Sequence, residues 1–483
     1  MYFLSWIYAI AILLMAIFGF NMLYLLALAV WHRHPRPAPP VPAQWPTVLV
    51  QLPTYNVRYV VERIIDAAAA LDYPADKLRI QVLDDSTDEC AALARARVAL
   101  HRARGKPVTY QHRAQRAGFK AGALAEGLRA APGEFIAIFD ADFVPAPDFL
   151  RRLIPHFLAD PKLGMVQARW EHLNAERNLL TRAQAIAFDG FFAIDQIARS
   201  RGGLPMNFNG SAGVWRRAAL EDAGGWQPET LAEDLDMSYR AHLAGWRMDF
   251  DPSVTVPAEL TPSVIAFKQQ QARWAKGSFQ TIRKLGWRVL TSPRFTLWQK
   301  LQGFFYMGGY LPHLLMVVSL LTSLPVVLLH GRNPLHWGLL GLAGLSLPLT
   351  ALWSQLAVRG DWYKRLLWYP VLFLAGIGLA VTNTRAIVEA WLGRDTEFVR
   401  TPKFSATTQR TNTYALSVDW ATWVELLLAA YALATGLLAV ELAPELAPFT
   451  FLYALGFGFT AVLGFWQSGG VREAKEARET ATK

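Results

Sequence analysis

The sequence holds one cysteine, Cys90, in 483 residues. A single thiol excludes an intrachain disulfide framework and any cysteine-rich metal site, and its ordinary role is that of a small core hydrophobe. Acidic residues are missing between Glu259 and Asp361, although the chain carries a net charge of +10. Lys268, Arg273, Lys276, Arg283, Lys284, Arg288, Arg294 and Lys300 crowd the start of that interval. Such a stretch suits nucleic acid in other settings. Placed just before a long apolar segment, it reads as a cytosolic membrane-surface stretch under the positive-inside rule, with no nucleic-acid partner. Charge is also lacking across residues 3–31, a run longer than the roughly 20 apolar residues that span a bilayer. No basic segment precedes it and no small-residue cleavage site precedes Trp31–Arg36, so a retained membrane helix over 1–34 is expected rather than a signal peptide.

What is present is blockwise. Hydrophobic residues make up 53% of the chain, and their placement separates a soluble block from apolar ones. A proline-rich linker, Pro35–Pro46, marks the boundary after the first helix. Over 47–160, short β-branched runs (VLVQLP, IQVLD, VTYQH, FIAIFD) alternate with helical stretches near 57–71, 88–104, 118–130 and 148–158. That rhythm predicts βαβ units and a mainly parallel sheet. Ligands of such sheets lie beyond the carboxyl ends of the strands. Three of those ends carry polar residues: Thr54, Tyr55 and Asn56, then Asp84 and Asp85, then Asp140 and Asp142.

Further membrane spans are expected at 303–329, 337–357, 366–391, 419–440 and 449–467. With the soluble block in the cytosol, three full crossings before residue 392 put the loop 392–418 outside. That loop contains Arg394, Arg400, Lys403 and Arg410, which the charge rule places inside. The 366–391 segment also holds Asn383, Arg385 and Glu389, costly in lipid. Its second half is therefore expected to return as an amphipathic or interfacial helix facing protein.

Four motifs carry chemistry. Asp140-Ala141-Asp142 ends an apolar strand, where two carboxylates can hold a hard divalent cation against a diphosphate. Upstream, DDSTD (Asp84–Asp88) follows another apolar strand and offers carboxylates to a base and ribose, or caps to the next helix. TLAEDLDMSYR brings Glu233, Asp234 and Asp236 to a helix start, where acids also complement the helix dipole. Gln270, Arg273 and Trp274 form QxxRW inside the basic stretch, which alone is equally an interfacial helix with snorkelling cations.

In this order, and flanked by membrane helices, the motifs resemble those of the processive family-2 glycosyltransferases, which include cellulose, hyaluronan and mannan or glucomannan synthases. The resemblance covers roughly residues 45–410. It implies an α/β GT-A nucleotide-sugar domain (35–260) with a mainly parallel sheet, inserted between transmembrane helices. It further implies interfacial amphipathic helices with QxxRW (261–300), channel helices (301–391), a cytosolic gating loop (392–418), a transmembrane hairpin (419–468) and a cytosolic tail (469–483). By motif, Thr54 and Tyr55 lie near the nucleotide, Asp84 and Asp85 hold base and ribose, and Lys120 in GFKAGAL approaches the diphosphate. Asp140 and Asp142 bind Mg2+ or Mn2+, with Asp140 and Arg273 on the donor. Asp234 is the general base, in a motif where Ala232 replaces the family's common threonine. Asn209, Glu233, Gln270 and Trp274 face the acceptor and channel mouth. Asn209 stands where cellulose and hyaluronan synthases carry cysteine, closer to mannan-synthase and xyloglucan-glucan-synthase-like groups. Phe398, Thr401 and Lys403 fit an FxxTxK gating loop.

The implied reaction is inverting, processive transfer from UDP-glucose or GDP-mannose to a growing β-linked glycan, with β-1,4 as the default linkage, and export across the plasma (inner) membrane from a cytosolic catalytic domain. A non-processive, ceramide-type glycolipid glucosyltransferase shares much of the motif set. A nucleotide-gated binding protein is disfavoured by the intact acidic motifs. No cyclic-di-GMP-binding module is expected in cis.

Overall fold

The computed structural model describes residues 2–329, 342–394 and 419–481, with side chains described as far as Ser468. Phe398, Thr401 and Lys403 lie outside the described residues. The long first helix, α1 (Tyr2–Trp31), leads through the linker into a seven-stranded sheet of order β3-β2-β1-β4-β6-β5-β7. Its strands are β1 (Val48–Thr54), β2 (Leu78–Asp84), β3 (Val108–His112), β4 (Phe135–Ile138), β5 (Leu163–His172), β6 (Gly213–Arg216) and β7 (Arg247–Ala258). Only β6 runs against the rest: it pairs antiparallel with both β4 and β5, and the other pairs are parallel.

The parallel strands are buried on both faces, which is why they read as continuous apolar runs rather than alternating ones. Alternation survives in where each side chain goes. Val48, Val50 and Leu52 enter the core on one side of the sheet, and Leu49 enters that on the other with Ile136 and Ile138 of β4. The crossover helices α2 (Val61–Ala69), α3 (Cys90–Ala103), α4 (Phe119–Ala130) and α5 (Phe149–Ala159) follow the first four strands. On α2, Val61, Ile64, Ile65, Ala68 and Ala69 form the buried face. Cys90 is buried in the same core.

After β5, α6 (Leu179–Gly190) runs through a π-helical turn, Phe191–Gln196, into α7 (Ile197–Arg201). The helices α8 (Arg217–Asp222) and α9 (Glu233–Ala244) complete the domain. The 28-residue α10 (Val264–Thr291) then carries the QxxRW residues, followed by α11 (Leu297–Met307) and α12 (Leu311–Leu328). The span expected from residue 303 is thus divided: Gly308 and Gly309 separate α11 from α12, whose second residue is proline.

The remaining helices are α13 (Ser346–Val358), α14 (Trp362–Leu366), α15 (Tyr369–Gly378), α16 (Ala380–Trp391), α17 (Trp420–Leu442) and α18 (Ala447–Ala481). Among the described residues, five segments are long and apolar enough to cross a membrane: Phe3–Trp31, Leu311–Leu328, Trp362–Trp391, Trp420–Leu442 and Ala447–Ser468. Leu342–Val358 is a shorter apolar helix. The third segment is interrupted at Leu379, between α15 and α16. Its polar residues are turned toward protein. Asn383 is fully buried, Arg385 pairs with Glu389 and Asp419, and Glu389 also takes Lys276 of α10.

Candidate active site

The strand order reverses between β1 and β4, so their carboxyl ends flank a crevice of the kind that receives ligands in α/β sheets. The crevice is there. Thr54, Tyr55, Asp85, Lys120, Asp140, Asp142, Asn209, Glu233, Asp234, Gln270, Arg273 and Trp274 all line one cleft. Residues separated by more than 200 positions are brought together because they sit at or just past strand ends, at helix starts, in the loop before β6, or on α10.

Asp84 is placed differently from its neighbour. It is fully buried, and its carboxylate accepts from Thr54 Oγ1 (2.9 Å), Ser86 Oγ (2.6 Å) and Tyr110 OH (2.8 Å), with His112 Nδ1 at 3.3 Å. Those partners tie the ends of β1, β2 and β3 together and saturate the carboxylate. Asp85 instead reaches the cleft, and Arg113 clamps it through two bonds of 2.7 and 2.6 Å. Arg116, also in the cleft, lies with its guanidinium 3.5 Å from the Tyr55 ring centre. Neither arginine was singled out from sequence. The signal was the end of β3, a fourth strand end followed by basic residues.

Lys120 is the hub of the acidic group. Its Nζ lies 2.7 Å from Asp140 and 3.5 Å from Glu233, and it donates to the Gly210 carbonyl at 2.8 Å. Burial acts to lower the Lys120 pKa, but the carboxylates of Asp140, Glu233 and Asp234 outweigh it and hold the ammonium above the usual lysine range. Asp234 is also shifted upward, but by burial itself. Burial and the adjacent Glu233 push its carboxyl up to about 7, against the pull of Lys120, the Leu235 amide and Arg273. The third acid of that run, Asp236, faces away: it is buried in a pair with Arg240 and Lys284.

The backbone around this group is unusual in one respect. Among the described residues, the three non-glycine residues at positive φ, Asn56 (49°), Phe119 (51°) and Ala212 (57°), sit beside Tyr55, Lys120 and Ser211. Strained residues of this kind gather where a site over-determines its backbone. Gly210 adds a close approach. At φ +80°, a Cβ on it would lie 2.9 Å from Asp234 Oδ2. Ser211 then receives the Asp140 amide on its Oγ at 2.9 Å, so one short segment positions Lys120, Asp140 and Asp234. On α10, Gly277 lets the helix lie directly on Ala232, whose Cβ would be 2.6 Å from a Cβ at position 277.

The far wall is aromatic. Trp170 packs on Phe188 at 5.7 Å and Phe188 meets Trp274 edge-on at 6.2 Å, all three lining the cleft together with Glu171 and His172. Trp170, Glu171, His172 and Phe188 also escaped the sequence reading, because β5 and α6 carry no motif.

Among the described residues no three His, Cys, Asp or Glu side chains form a metal cluster. The pair Asp140 and Asp142 is nonetheless a fitting donor set for a cation that takes one or two carboxylates and completes its shell with phosphate oxygens and water. The contact between the Lys120 ammonium and Asp140 marks this position as one that receives positive charge.

Residues 46–277 match the family model described as glycosyltransferase like family 2. A glucomannan 4-β-mannosyltransferase of Arabidopsis thaliana is 35% identical over 373 residues, 75% of this chain and 68% of the relative. A probable glucomannan 4-β-mannosyltransferase of Oryza sativa subsp. japonica is 42% identical over 263 residues, 54% of this chain and 46% of the relative. Among solved structures, a mannosyltransferase from Pyrobaculum calidifontis, in complex with GDP-Man and Mn2+, superposes with a TM-score of 0.56 at 23% identity, covering 80% of this chain and all of its own. That likeness establishes the GT-A fold. With its sheet order, its cleft and relatives of this identity and coverage, the chain belongs to the cellulose synthase-like glycosyltransferases of family 2.

Proposed function

We propose that the chain is an inverting, processive glycosyltransferase that extends a β-1,4-linked mannan or glucan from a nucleoside-diphosphate sugar. In this reading the glycan grows on the cytosolic side of the plasma (inner) membrane and leaves through the chain's own membrane helices. The relatives' names favour mannosyl transfer, and hence GDP-mannose over UDP-glucose. The observation that carries the reading is the Asp234 carboxyl, pushed up to about 7, in one cleft with Lys120, Asp140 and the Trp274 indole.

The acceptor hydroxyl attacks the anomeric carbon of the donor as the bond from that carbon to the phosphate oxygen breaks. The hydroxyl proton passes to Asp234, and the nucleoside diphosphate departs with the bonding pair. A carboxyl near neutrality is better matched to this task than an ordinary aspartate. A bound Mg2+ or Mn2+, held by Asp140 and Asp142, supplies charge neutralisation on the departing diphosphate. Lys120 and Arg273 add fixed positive charge where negative charge develops. Asp85, clamped by Arg113, receives base and ribose hydroxyls beside Thr54 and Tyr55, and Asp84 holds the strand ends that position them. Trp274 offers its face to the apolar side of a pyranose, and Asn209, Glu233 and Gln270 offer polar groups around it. Polar groups buried among α10, α12 and α16 support a route through the membrane domain: Tyr310 bonds Gln271 at 3.2 Å, and Asn383 is fully buried.

The test is to supply purified full-length protein with radiolabelled GDP-mannose or UDP-glucose, a divalent cation and a β-1,4-linked manno-oligosaccharide. A ladder of labelled glycan from one donor is expected. Label confined to lipid, or no incorporation, contradicts the reading.

A further inference from the structure

Arg359 follows α13, an apolar helix of the membrane domain, yet its guanidinium lies in the catalytic domain. It donates to Glu171 at 2.6 Å and to both oxygens of Asp189, at 2.8 and 2.9 Å. Asp189 is itself 1% exposed and takes Gln355 of α13 at 3.3 Å and the ring nitrogen of His172 at 3.1 Å. Arg169 stands 3.4 Å from the other Glu171 oxygen. The planar fork of an arginine can span two carboxylates in fixed geometry, which a lysine point charge cannot.

Glu171 and His172 lie at the end of β5, next to Trp170 and across from Phe188 and Trp274. An aromatic surface bordered by a charged hydrogen-bond acceptor is the arrangement that grips a pyranose, with stacking on its apolar face and hydroxyls donated to the carboxylate. We propose that Glu171 binds hydroxyls of the acceptor glycan beside the Trp274 platform, and that Arg359 is its positioning residue, so that the end of a membrane helix sets the acceptor wall of the cleft. This rests on the glycosyltransferase reading above and adds to it a residue pair that no motif marks. Burial acts to raise the Glu171 pKa, and Arg359 and Arg169 reverse that and keep it below the usual glutamate range. The carboxylate is therefore ionised, an acceptor only, at the pH of the reaction.

The experiment measures separate KM values for donor and for a β-1,4-linked manno-oligosaccharide acceptor in wild type, Glu171→Gln, Arg359→Met and Arg359→Lys, with nucleotide binding as the check on folding. Losing a charge-assisted contact to the acceptor raises its KM about tenfold in Glu171→Gln and Arg359→Met, with donor KM within about twofold. Arg359→Lys, keeping the charge without the fork, falls between. Donor and acceptor KM values rising together, or an unchanged acceptor KM, overturn the assignment. A wild type that does not elongate the oligosaccharide removes the transferase reading and this assignment with it.

Discussion

Gly210 and Asp234 approach so closely that a Cβ on the glycine would lie 2.9 Å from the carboxylate oxygen. The same glycine sits at φ +80° and gives its carbonyl to Lys120. Gly210→Ala therefore strains the backbone and displaces Asp234 at once. A left-handed conformation costs a residue with a Cβ about 1–2 kcal/mol, and an error of about 1 Å at a reacting group costs about a hundredfold in rate. The expected result is a hundredfold loss in kcat with nucleotide affinity retained within about threefold, measured by steady-state transfer and equilibrium binding.

With Asp234 as the proposed base, its carboxyl, pushed up to about 7, is expected to set the acid limb of activity. A base must be ionised to accept a proton, so kcat/KM for the donor falls about tenfold per pH unit below that value and levels off above it. The sign for stability is opposite. A raised carboxyl pKa favours the folded state while the proton is held, and that contribution is lost as pH rises through about 7. A pH–rate profile with no acid limb between pH 5 and about 7 contradicts the assignment.

Lys268 of α10 and Glu425 of α17 form a buried pair at 2.7 Å, which fixes the helix that carries Gln270, Arg273 and Trp274 against the apolar helix α17. Removing one member of such a pair leaves a charge stranded and costs about 3–5 kcal/mol, whereas replacing both with apolar residues is close to neutral. Lys268→Met is expected to lower thermal stability in detergent sharply, and Lys268→Met with Glu425→Leu to recover most of it.

Much of this site is local in sequence, and that part was legible. The strands, the crossover helices, DxD at the end of β4 and the acids opening α9 are set by neighbours within a few residues. What stayed hidden depends on distant partners. Asp84 and Asp85 are adjacent, yet one is saturated by groups on three strand ends and the other meets Arg113 and the cleft. The acid-free basic stretch looked like a membrane-facing surface, but Lys268, Lys276 and Lys284 find carboxylates on α17, α16 and α9. Glu171 and Arg359 are 188 positions apart, with no pattern to link them.

Arg113 clamps Asp85 through two parallel bonds and also donates to the carbonyls of Ala117 and Phe119 at the approach to Lys120. Arg113→Lys keeps the charge and loses the fork. Donor KM is expected to rise about tenfold, the size of one charge-assisted bond, with acceptor KM unchanged; titration with the nucleoside diphosphate checks the first half directly.

The central claim is that Asp234 takes the acceptor proton, and Asp234→Asn tests it most directly, because the amide keeps the shape and removes the basicity. Transfer and nucleotide affinity are measured on the same purified preparation. The account predicts that transfer falls by at least about a thousandfold, within the range of general-base catalysis, while the nucleoside diphosphate binds within about threefold of wild type. Transfer that survives, or that is lost only because the nucleotide no longer binds, contradicts it.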